Sequence, residues 1–339
     1  MSLNKRMVLA SRPSGDPVPA NFRLEEVAVG EPGEGQVLVR TLWLSIAPYM
    51  RWRMNDAKSY APPVALNDVM VGATVGEVIE SRAPGFSAGD VVIGMNGWQE
   101  YAVCDAGTLR KQDPEWGKSA IMLGVLGGNG MTAYAGLYKI GKPRAGETVV
   151  VAAASGGVGS LVGQMAKLKG ARAIGIAGGP EKCAFVVSEL GFDACIDHRA
   201  PDFPEQLARA CPDGIDVYFE NVGGAVWNAV LPLLNDFARI PVCGVISQYS
   251  ATEPPPGPDR TPELMRAVLS KRLEIRGFVL TDFADIGPEF YAEASVWHRQ
   301  GKLRYREDVH HGIASAPDAF IGMLKGKNFG KVLIRVAPE

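Results

Sequence analysis

The hydrophobic pattern of the chain changes character near residue 121. Before that point, short runs rich in Val, Ile, Thr and aromatic residues alternate with Gly, Pro and Asp, which is typical of strands separated by turns. The clearest of these runs are QVLVRTLWLSIAP (36–48), VGATVGEVIES (71–81), GDVVIGM (89–95) and QEYAVC (99–104). Their spacing predicts a β-rich domain built as a sandwich or a partly closed barrel.

After residue 121, apolar strands alternate with amphipathic helices. The run GETVVVAAA (146–154) is almost continuously apolar, as expected for a strand buried on both faces. The next segment, VGSLVGQMAKLKG (158–170), places Leu161, Met165 and Leu168 on one helical face. The alternation continues through ARAIGIA (171–177), PEKCAFVVSELG (180–191), DACID (193–197), FPEQLARAC (203–211), GIDVYFEN (214–221), GAVWNAVLPLLN (224–235), ARIPVCGVI (238–246), PELMRAVLSKR (262–272) and LEIRGFVL (273–280). This rhythm predicts right-handed βαβ units around a parallel sheet.

The end of the chain predicts a return to the first domain, because GKVLIRVA (330–337) has the pattern of one more buried strand. We therefore predict an α/β protein of two domains. Residues 122–296 form a Rossmann domain with a doubly wound parallel sheet, and residues 1–121 and 297–339 form the β-rich domain. The loop ATEPPPGPDRTP (251–262) is either a stiff cover over a pocket or a plain surface connection.

Charge and cysteine content narrow the function classes. The 339 residues carry a formal net charge of −2, so no positive field would attract nucleic acid or an anionic membrane. The sequence has no apolar run of 18 residues and no apolar stretch of signal-peptide length at its start. The five scattered cysteines fit neither a disulfide framework nor a C-x-x-C metal site. We expect a cytoplasmic protein without nucleic-acid or membrane partners.

A glycine turn connects the buried strand to the helix after it. In AAASGGVGS (152–160), Ala153, Gly156 and Gly159 are spaced as A-x-x-G-x-x-G. Small residues let the backbone turn tightly and approach a pyrophosphate, whose charge the helix amides and dipole stabilise. Such a triplet alone is often only a tight turn, but between a strand and a helix it predicts nucleotide binding.

The next strand ends without an acid. An NAD site usually places a carboxylate about twenty residues beyond the glycine turn, to bind the ribose hydroxyls. Here Gly178 and Gly179 occupy that point, and Lys182 lies in the helix that follows. Glu181 suits the helix dipole and is expected to face solvent. A phosphate on the adenosine ribose would gain Lys182 as a partner, so NADPH is favoured over NADH; the alternative is that Lys182 is an ordinary solvated lysine.

The sequence lacks residues that would form a catalytic zinc site or an activated nucleophile. The four histidines all follow the nucleotide turn, the step Gly72-Ala73-Thr74 offers no strong zinc ligand, and the sequence has no G-x-S-x-G elbow. We expect no metal. The cofactor then supplies the hard chemistry, and the protein orients, polarises and protonates the substrate.

The chain resembles the zinc-free medium-chain dehydrogenase/reductases, and within them the NADPH-dependent double-bond reductases: leukotriene B4 12-hydroxydehydrogenase / prostaglandin reductase and bacterial curcumin-reductase-like enzymes. The matching segments are LSIAPYMRWRM (44–54), SYAPPV (59–64), NGMTAYAGL (129–137), AAASGGVGS, AGGPEK (177–182), YFENVGG (218–224), CGVISQY (243–249), RGFVL (276–280) and LKGKNFGKVLI (324–334). The resemblance covers nearly the whole chain. It implies a GroES-like barrel domain beside the Rossmann domain, a homodimer, and reduction of the carbon–carbon double bond of α,β-unsaturated ketones or aldehydes.

The resemblance also implies the cofactor contacts. Residues of the glycine turn would bind the pyrophosphate and Lys182 the ribose phosphate, while segments at the strand ends and near the C-terminus would face the rest of NADPH. The full set of candidate cofactor residues is Gly156, Gly157, Val158, Gly159, Ser160, Lys182, His198, Asn221, Cys243, Gly244, Ile246, Ser247, Tyr249, Phe278, Val279, Leu280 and Asn328.

Three departures from the family pattern affect the expected site. Ala47 stands where an Asp is usual, before the loop that carries Tyr49. Residues 127–130 read Gly-Gly-Asn-Gly where the family has Gly-Met-Pro-Gly, which could reshape the pocket near the nicotinamide. His198 replaces a tyrosine near the adenosine ribose, although a histidine can still donate to a phosphate.

Reduction of an enone builds negative charge on its carbonyl oxygen, and a donor must stabilise that charge. Without a metal, a tyrosine hydroxyl or the cofactor's own ribose hydroxyl is a natural donor, and the tyrosine candidates are Tyr49, Tyr60 and Tyr249. For each tyrosine the alternative is a packed ring with a locally satisfied hydroxyl. Trp52, Trp98 and Met131 either line an apolar substrate site or belong to the core. Two other functions stay open: a quinone reductase with the same cofactor, and a non-catalytic NADPH-binding protein.

Overall fold

The structure is a computed structural model that describes residues 3–117, 119–254 and 257–338. Within the loop 251–262 considered above, Pro255 and Pro256 lie outside the described residues. The chain divides into two compact units. A middle unit spans Val125–Arg306, and a β-rich unit comprises the residues up to Gly124 and those from Glu307 onward.

The strands of the described residues, in chain order, are β1 (Leu3–Leu9), β2 (Phe22–Ala28), β3 (Gln36–Ser45), β4 (Thr74–Ser81), β5 (Val91–Gly94), β6 (Tyr101–Asp105), β7 (Arg110–Lys111), β8 (Thr148–Ala152), β9 (Arg172–Ala177), β10 (Ala194–Asp197), β11 (Ile215–Phe219), β12 (Leu234–Val242), β13 (Glu274–Gly277), β14 (Glu307–His311) and β15 (Lys331–Arg335).

The α-helices of the same residues are α1 (Met50–Arg53), α2 (Gly128–Tyr134), α3 (Gly159–Leu168), α4 (Pro180–Ser188), α5 (Phe203–Ala210), α6 (Gly224–Val230), α7 (Thr261–Lys271), α8 (Gly287–Arg299) and α9 (Ala316–Leu324). A π-helical segment, Ala135–Gly141, continues α2.

The middle unit is built on a parallel sheet. In the described residues its strands lie in the order β10-β9-β8-β11-β12-β13, and each neighbouring pair is parallel. The central strand β8 is buried at every residue, which agrees with its continuous apolar run. The chain moves outward from β8 in both directions, so the carboxyl ends of β8 and β11 lie side by side where the strand order reverses. The predicted Rossmann fold is confirmed.

Close helix–sheet packing in this unit depends on glycine. A Cβ at Gly163 in α3 would lie 1.9 Å from the ring of Phe192, and a Cβ at Gly175 in β9 would lie 2.8 Å from that of Ala154. The core between the sheet and the helices α5 and α6 contains Val150, Ile174 and Leu207, all fully buried. This packing fixes the helix N-termini at the carboxyl edge of the sheet.

The β-rich unit contains a separate sheet. In the described residues its main path is β14-β15-β3-β4-β5-β7, and β6 pairs with the opposite side of β3 from β4. The C-terminal strand β15 pairs antiparallel with β3, so the predicted return of the chain is confirmed. Trp98 is fully buried and stacks on Phe22, with ring centroids 5.6 Å apart; of the two roles considered for it, the structure supports core packing.

Two predicted element boundaries in the middle unit are wrong. The helix predicted over 224–235 is α-helical only to Val230, continues as a 3-10 turn over Leu231–Leu233, and gives way to strand β12 at Leu234. The strand predicted over 238–246 ends at Val242. An irregularity in the β11–β12 pairing, with Phe237 in a left-handed conformation (φ 61°), produces the earlier start. An alternating-pattern reading does not anticipate such a bulge.

Candidate functional site

The glycine turn after β8 is organised around one carbonyl oxygen, that of Ala153. The Gly156 amide donates to this oxygen at 2.9 Å, and a Cβ on Gly159 would lie only 2.3 Å from it. Ala153 itself has φ 55°, the left-handed conformation that non-glycine residues rarely adopt. The A-x-x-G-x-x-G spacing therefore describes one tight structural unit, which opens directly into α3.

The amide groups at the start of α3 are available to a ligand. Among the described residues, the amides of Gly157, Val158 and Gly159 donate no hydrogen bond to a backbone or side-chain acceptor. The Ser160 amide is already used, since it donates to the Gly156 carbonyl at 3.1 Å. Unpartnered amides at a helix N-terminus, together with the helix dipole, suit an anion such as a pyrophosphate.

The carboxyl end of β9 carries the predicted glycine pair, but an acid lies beside it. Gly178 and Gly179 follow the strand directly, and Gly179 has φ 97°. Asp197 at the end of β10 accepts hydrogen bonds through Oδ1 from the amides of Gly179 at 2.8 Å and Arg199 at 2.9 Å. Burial alone would raise the pKa of Asp197, but these two amides hold it below its usual value. As predicted, no acid follows β9 directly. The neighbouring strand β10, however, brings the carboxylate of Asp197 to the same place.

Cationic and neutral donors surround this glycine pair. A Cβ on Gly178 would lie 3.0 Å from Nε2 of His198 and 3.0 Å from Nε of Arg199, so both side chains lie against the glycine backbone. Lys182 is half-buried in the first turns of α4. His198 and Lys182 were predicted; Arg199 was missed. Its position in the sequence, directly after His198 and just beyond the end of β10, could have indicated that Arg199 lies near the tip of β9.

A buried carboxylate shapes the turn after β11. Glu220 is 2% exposed, and its Oε1 accepts hydrogen bonds from the Tyr218 hydroxyl at 3.0 Å and from the amides of Val222 at 2.6 Å and Gly223 at 2.9 Å. Burial raises the pKa of Glu220, and the backbone donors oppose that effect. Glu220 is not among the site residues predicted from the sequence. Its structural role is to hold the Asn221–Gly223 backbone in one conformation.

The segment after β12 is bound to this turn. Asn221 donates through Nδ2 to the Ala152 carbonyl at 2.8 Å, which joins the ends of β8 and β11. The amides of Cys243, Ile246 and Ser247 donate to the carbonyls of residues 220–222 at 2.9–3.2 Å. The predicted residues Asn221, Cys243, Gly244, Ile246 and Ser247 therefore lie together at the carboxyl edge of the sheet, where open α/β sheets bind ligands.

Tyr249 lies at this same edge. A Cβ on Gly244 would lie 2.8 Å from its hydroxyl oxygen and 3.6 Å from the Asn221 carbonyl oxygen. The hydroxyl thus lies against Gly244, in the segment after β12 that is hydrogen-bonded to the turn after β11. Burial raises the pKa of the nearby Cys243 thiol to about 12, so this cysteine stays protonated and is a poor nucleophile at neutral pH.

The segment 278–280, also predicted to contact the cofactor, is partly buried in the core. The Phe278 side chain is buried, packs edge-on against Phe219 at a centroid distance of 6.2 Å, and would lie 2.6 Å from a Cβ on Gly136. Its ring therefore belongs to the core of the middle unit. Only its backbone and the half-buried Val279 and Leu280 are available to a ligand.

In the β-rich unit, Tyr49 and Tyr60 are close enough to interact electrostatically. Tyr49 immediately precedes α1 and is half-buried, and burial raises its pKa to about 12. Tyr60 is 57% exposed. Tyr49 consequently keeps its proton at physiological pH and can act as a hydrogen-bond donor, but not as a base.

The C-terminal candidate Asn328 is half-buried and donates through Nδ2 to the Gly330 carbonyl at 2.9 Å. Close to it in sequence, Lys331 is 5% exposed and donates through Nζ to the Ser45 hydroxyl and the Ile46 carbonyl, each at 2.7 Å. These bonds hold the end of β3, from which the chain continues through Ala47 and Pro48 to Tyr49.

Neither a metal site nor a membrane span is found in residues 3–117, 119–254 and 257–338. No group of three or more His, Cys, Asp or Glu side chains there could hold a metal ion. Each helix in those ranges is too short or too polar to cross a bilayer.

The chain matches two family models and several characterised proteins. Residues 5–111 match "N-terminal domain of oxidoreductase", and residues 157–294 match "Zinc-binding dehydrogenase". The chain is 57% identical to the NADPH-dependent curcumin reductase of Escherichia coli strain K12, over 99% of this chain and 98% of that protein. It is 39% identical to the NADP(+)-dependent 2-alkenal reductase of Nicotiana tabacum, over 99% and 98% of the two chains. The crystal structure of CurA from Vibrio vulnificus in complex with NADPH superposes with a TM-score of 0.96, at 52% identity and with 99% and 100% coverage.

Proposed function

Because the chain belongs to the medium-chain dehydrogenase/reductase family, we propose that it is an NADPH-dependent reductase of the carbon–carbon double bond in α,β-unsaturated ketones and aldehydes. The observation that carries this proposal is its end-to-end identity of 57% to an NADPH-dependent curcumin reductase. The 2-alkenal reductase adds support for small activated alkenes as substrates.

The middle unit has groups that fit the cofactor. The free amides of Gly157, Val158 and Gly159 would bind the pyrophosphate, and the cations beside Gly178 would bind the ribose phosphate. The turn after β11 and the segment 243–249 would face the nicotinamide end. When bound, NADPH supplies the hydride; the protein binds the two reactants, orients them and excludes water.

No metal takes part in the proposed reaction. The matched model is described as a zinc-binding dehydrogenase, but within the described residues the ligands that a catalytic zinc requires do not come together. The charge that develops on the substrate oxygen must therefore be met by hydrogen-bond donors of the chain or by the ribose hydroxyl of the cofactor. The tyrosine candidates are Tyr49, Tyr60 and Tyr249. Burial raises the pKa of Tyr49 to about 12, so its hydroxyl stays protonated at neutral pH.

The activity is tested by following NADPH oxidation at 340 nm, a wavelength specific to the reduced cofactor, with a panel of small enones and enals. The expected product is the saturated ketone or aldehyde, identified by mass spectrometry. Tight NADPH binding without turnover of any substrate would contradict the proposal. Reduction of quinones to hydroquinones, with enones untouched, would replace it by a quinone reductase.

The donor is identified by Tyr49→Phe, Tyr60→Phe and Tyr249→Phe variants. Loss of the group that protonates or polarises the substrate is expected to lower kcat by about 10²–10⁴-fold, while the Kd for NADPH stays unchanged. Tyr101→Phe, on strand β6, is the matched control. Unchanged kcat in all three variants would show that none of these hydroxyls is the donor.

We also propose a homodimer in the cytoplasm. Strand β13 is an edge strand whose four residues are all exposed, and its Ile275 is 40% exposed. An exposed strand edge can pair with a second copy of itself. The five cysteines are all free, which agrees with a reducing compartment.

A further inference from the structure

Two thiols lie in contact on the side of the parallel sheet that faces α4. Cys183 lies in the first turns of α4, and Cys195 lies in β10, where it pairs in register with Gly175 of β9. A Cβ on Gly175 would lie 3.1 Å from the Cys195 sulphur and 3.0 Å from Cγ1 of Val186, so Cys195 points towards the helix. Cys183 precedes Val186 by one helical turn and shares its sheet-facing side.

Hydrogen bonds make the two thiols unequal. The Cys183 sulphur accepts from the Cys195 thiol and from the Ala177 amide at the end of β9, and these donors lower the pKa of Cys183 against the effects of burial and Asp197. The bond to Cys183 and burial raise the pKa of Cys195. Both cysteines are free and half-buried. Because the thiolate is the reactive form of cysteine, Cys183 is the nucleophile of the pair and Cys195 is its neighbour in reserve.

This arrangement suits a two-electron oxidation by a hydroperoxide. The Cys183 thiolate attacks the terminal peroxide oxygen, so that an S–O bond forms, the O–O bond breaks, and water or an alcohol leaves. The Cys195 sulphur then attacks the Cys183 sulfenic acid: the S–S bond forms, the S–O bond breaks, and the hydroxide takes up the thiol proton and leaves as water. The two thiols lose two electrons and two protons, and the peroxide is reduced.

Closing this bond would move the start of α4. A disulfide holds its two sulphur atoms about 2.05 Å apart, much closer than two thiols that share a hydrogen bond. The bond therefore draws the first turns of α4 towards β10. Lys182 lies in these turns, and the Gly179 amide that precedes them donates to Asp197 at 2.8 Å. The affected groups are those proposed above to surround the ribose phosphate.

We propose that Cys183 and Cys195 form a reversible dithiol–disulfide pair, oxidised by hydroperoxides, and that the disulfide weakens NADPH binding at the tip of β9. In a reducing compartment the disulfide is transient and reports a burst of peroxide. The effect on the cofactor rests on the proposed use of NADPH, whereas disulfide formation does not. By linkage, a ligand bound at the ribose-phosphate site must oppose the disulfide by the same factor.

Oxidation is tested on the full-length protein, reduced first and then treated with hydrogen peroxide. Remaining thiols are blocked with N-ethylmaleimide before digestion with trypsin. No Lys or Arg lies between Cys183 and Arg199, so both cysteines fall in the single tryptic peptide 183–199. Mass spectrometry then distinguishes the disulfide, which lacks two hydrogens and carries no label, from the reduced peptide, which carries two labels.

Cofactor binding is measured before oxidation, after oxidation and after treatment with dithiothreitol. The ligands are NADPH and 2′,5′-ADP; the latter carries the ribose phosphate but no nicotinamide. We expect the disulfide to raise the Kd of both about fivefold or more, and dithiothreitol to restore it. In glutathione redox buffers, saturating 2′,5′-ADP should shift the midpoint of disulfide formation by the same factor as the change in its Kd.

Variants assign the two roles. Cys195→Ser should stop at the sulfenic acid of Cys183, which dimedone traps, and Cys183→Ser should show neither the acid nor a change in Kd after peroxide. Cys104→Ser, which removes a half-buried cysteine of the β-rich unit, is the matched control and should respond like the wild type. Circular dichroism checks that each variant is folded, and the decisive comparison uses the wild-type chain.

Two results would overturn the inference: a wild-type peptide 183–199 that keeps both thiols under peroxide, or a disulfide in that peptide that leaves the Kd of 2′,5′-ADP unchanged. Neither readout depends on turnover. Enone reduction by a protein whose thiols stay reduced would refute this inference alone. Reversible loss of 2′,5′-ADP binding, without reduction of any enone, would refute the proposed function alone.

Discussion

At the scale of single residues, Ala153 shows how a sequence motif encodes geometry. Its carbonyl oxygen accepts a hydrogen bond from the Gly156 amide and leaves no room for a side chain at Gly159. These two contacts require small residues at fixed positions, and that spacing can be read in the sequence. The left-handed conformation of Ala153 is not visible there, because alanine has no preference for it. The motif predicts where the turn lies, but not that one alanine is strained to form it.

Gly159→Ala should damage the cofactor site more than the fold. The new Cβ would lie 2.3 Å from a backbone oxygen, so the turn must shift, at a cost of about 1–3 kcal/mol in the free energy of unfolding. Displacement of the α3 amides should weaken NADPH binding at least tenfold, as measured by fluorescence titration. Gly107→Ala, where a Cβ meets nothing within 4 Å, is the control. Unchanged affinity would show that the turn does not hold the cofactor.

The residues missed at the nucleotide site share one physical origin. Asp197 reaches the tip of β9 only because β10 is its neighbour, with Asp197 paired to Ala177 in register. Arg199 is brought to Gly178 by the same pairing. A motif search follows one strand and its helix, whereas charge at a strand tip also depends on the next strand. The acid-free strand end pointed to Lys182 and the resemblance to His198, but neither pointed to Asp197 or Arg199.

At the scale of elements, buried strands were the most predictable. Strands β8, β9 and β11 are where their apolar runs indicated, because burial on both faces leaves a pattern that few other structures share. The hairpin of β1 and β2 was not predicted, since its sequences LNKRMVL and FRLEEVA carry charges on exposed positions and few turn signals. Helix α8 was also missed, although its buried Phe290 and Ala294 are four residues apart.

Strand β15 contains a buried ammonium that should make stability depend on pH. Burial lowers the pKa of Lys331 to about 7, whereas an unfolded lysine titrates near 10.4. Between these values the unfolded chain binds more protons, so the free energy of unfolding should rise with pH, by at most about 1.4 kcal/mol per unit.

Chemical denaturation at pH 7, 8 and 9 measures this slope. Lys331→Met should flatten it, while Lys327→Met, an exposed lysine nearby, should leave it unchanged. Equal slopes in the wild type and Lys331→Met would mean that Lys331 stays charged in the folded protein. Because the Lys331 amino group donates to Ser45 and Ile46, the same variant should also loosen the loop that carries Tyr49.

At the scale of the whole molecule, we place the interface of the proposed dimer on the exposed edge strand β13 of the parallel sheet. Ile275→Lys places a charge on β13 and should convert the proposed dimer into a monomer, as measured by light scattering after size-exclusion chromatography. Val309→Lys, on the edge strand β14 of the other sheet, is the matched control and should leave the dimer intact. A wild-type protein that is monomeric at micromolar concentration would refute the dimer.

The boundaries between the two units show what the sequence could not predict at this scale. The predicted boundaries lie at 121/122, where the rhythm of the sequence changes, and at 296/297, where the segment that is predicted to return to the first domain begins. The compact units of the structure divide after Gly124 and after Arg306. The second division comes later because α8 and the segment after it pack in the middle unit: the Arg304 amide donates to Gln164 Oε1 at 2.7 Å. Such a contact spans 140 residues and leaves no local pattern.

The pairing of β15 with β3 has a consequence for synthesis on the ribosome. The Rossmann unit possesses its complete sheet once β13 has emerged, while the sheet begun by β3 must wait for residues 331–335. The portion translated first is thus among the last to be finished. A nascent chain stalled before that final strand would leave Trp43–Ser45 of β3 unpaired on one side, and a chaperone could bind this open edge.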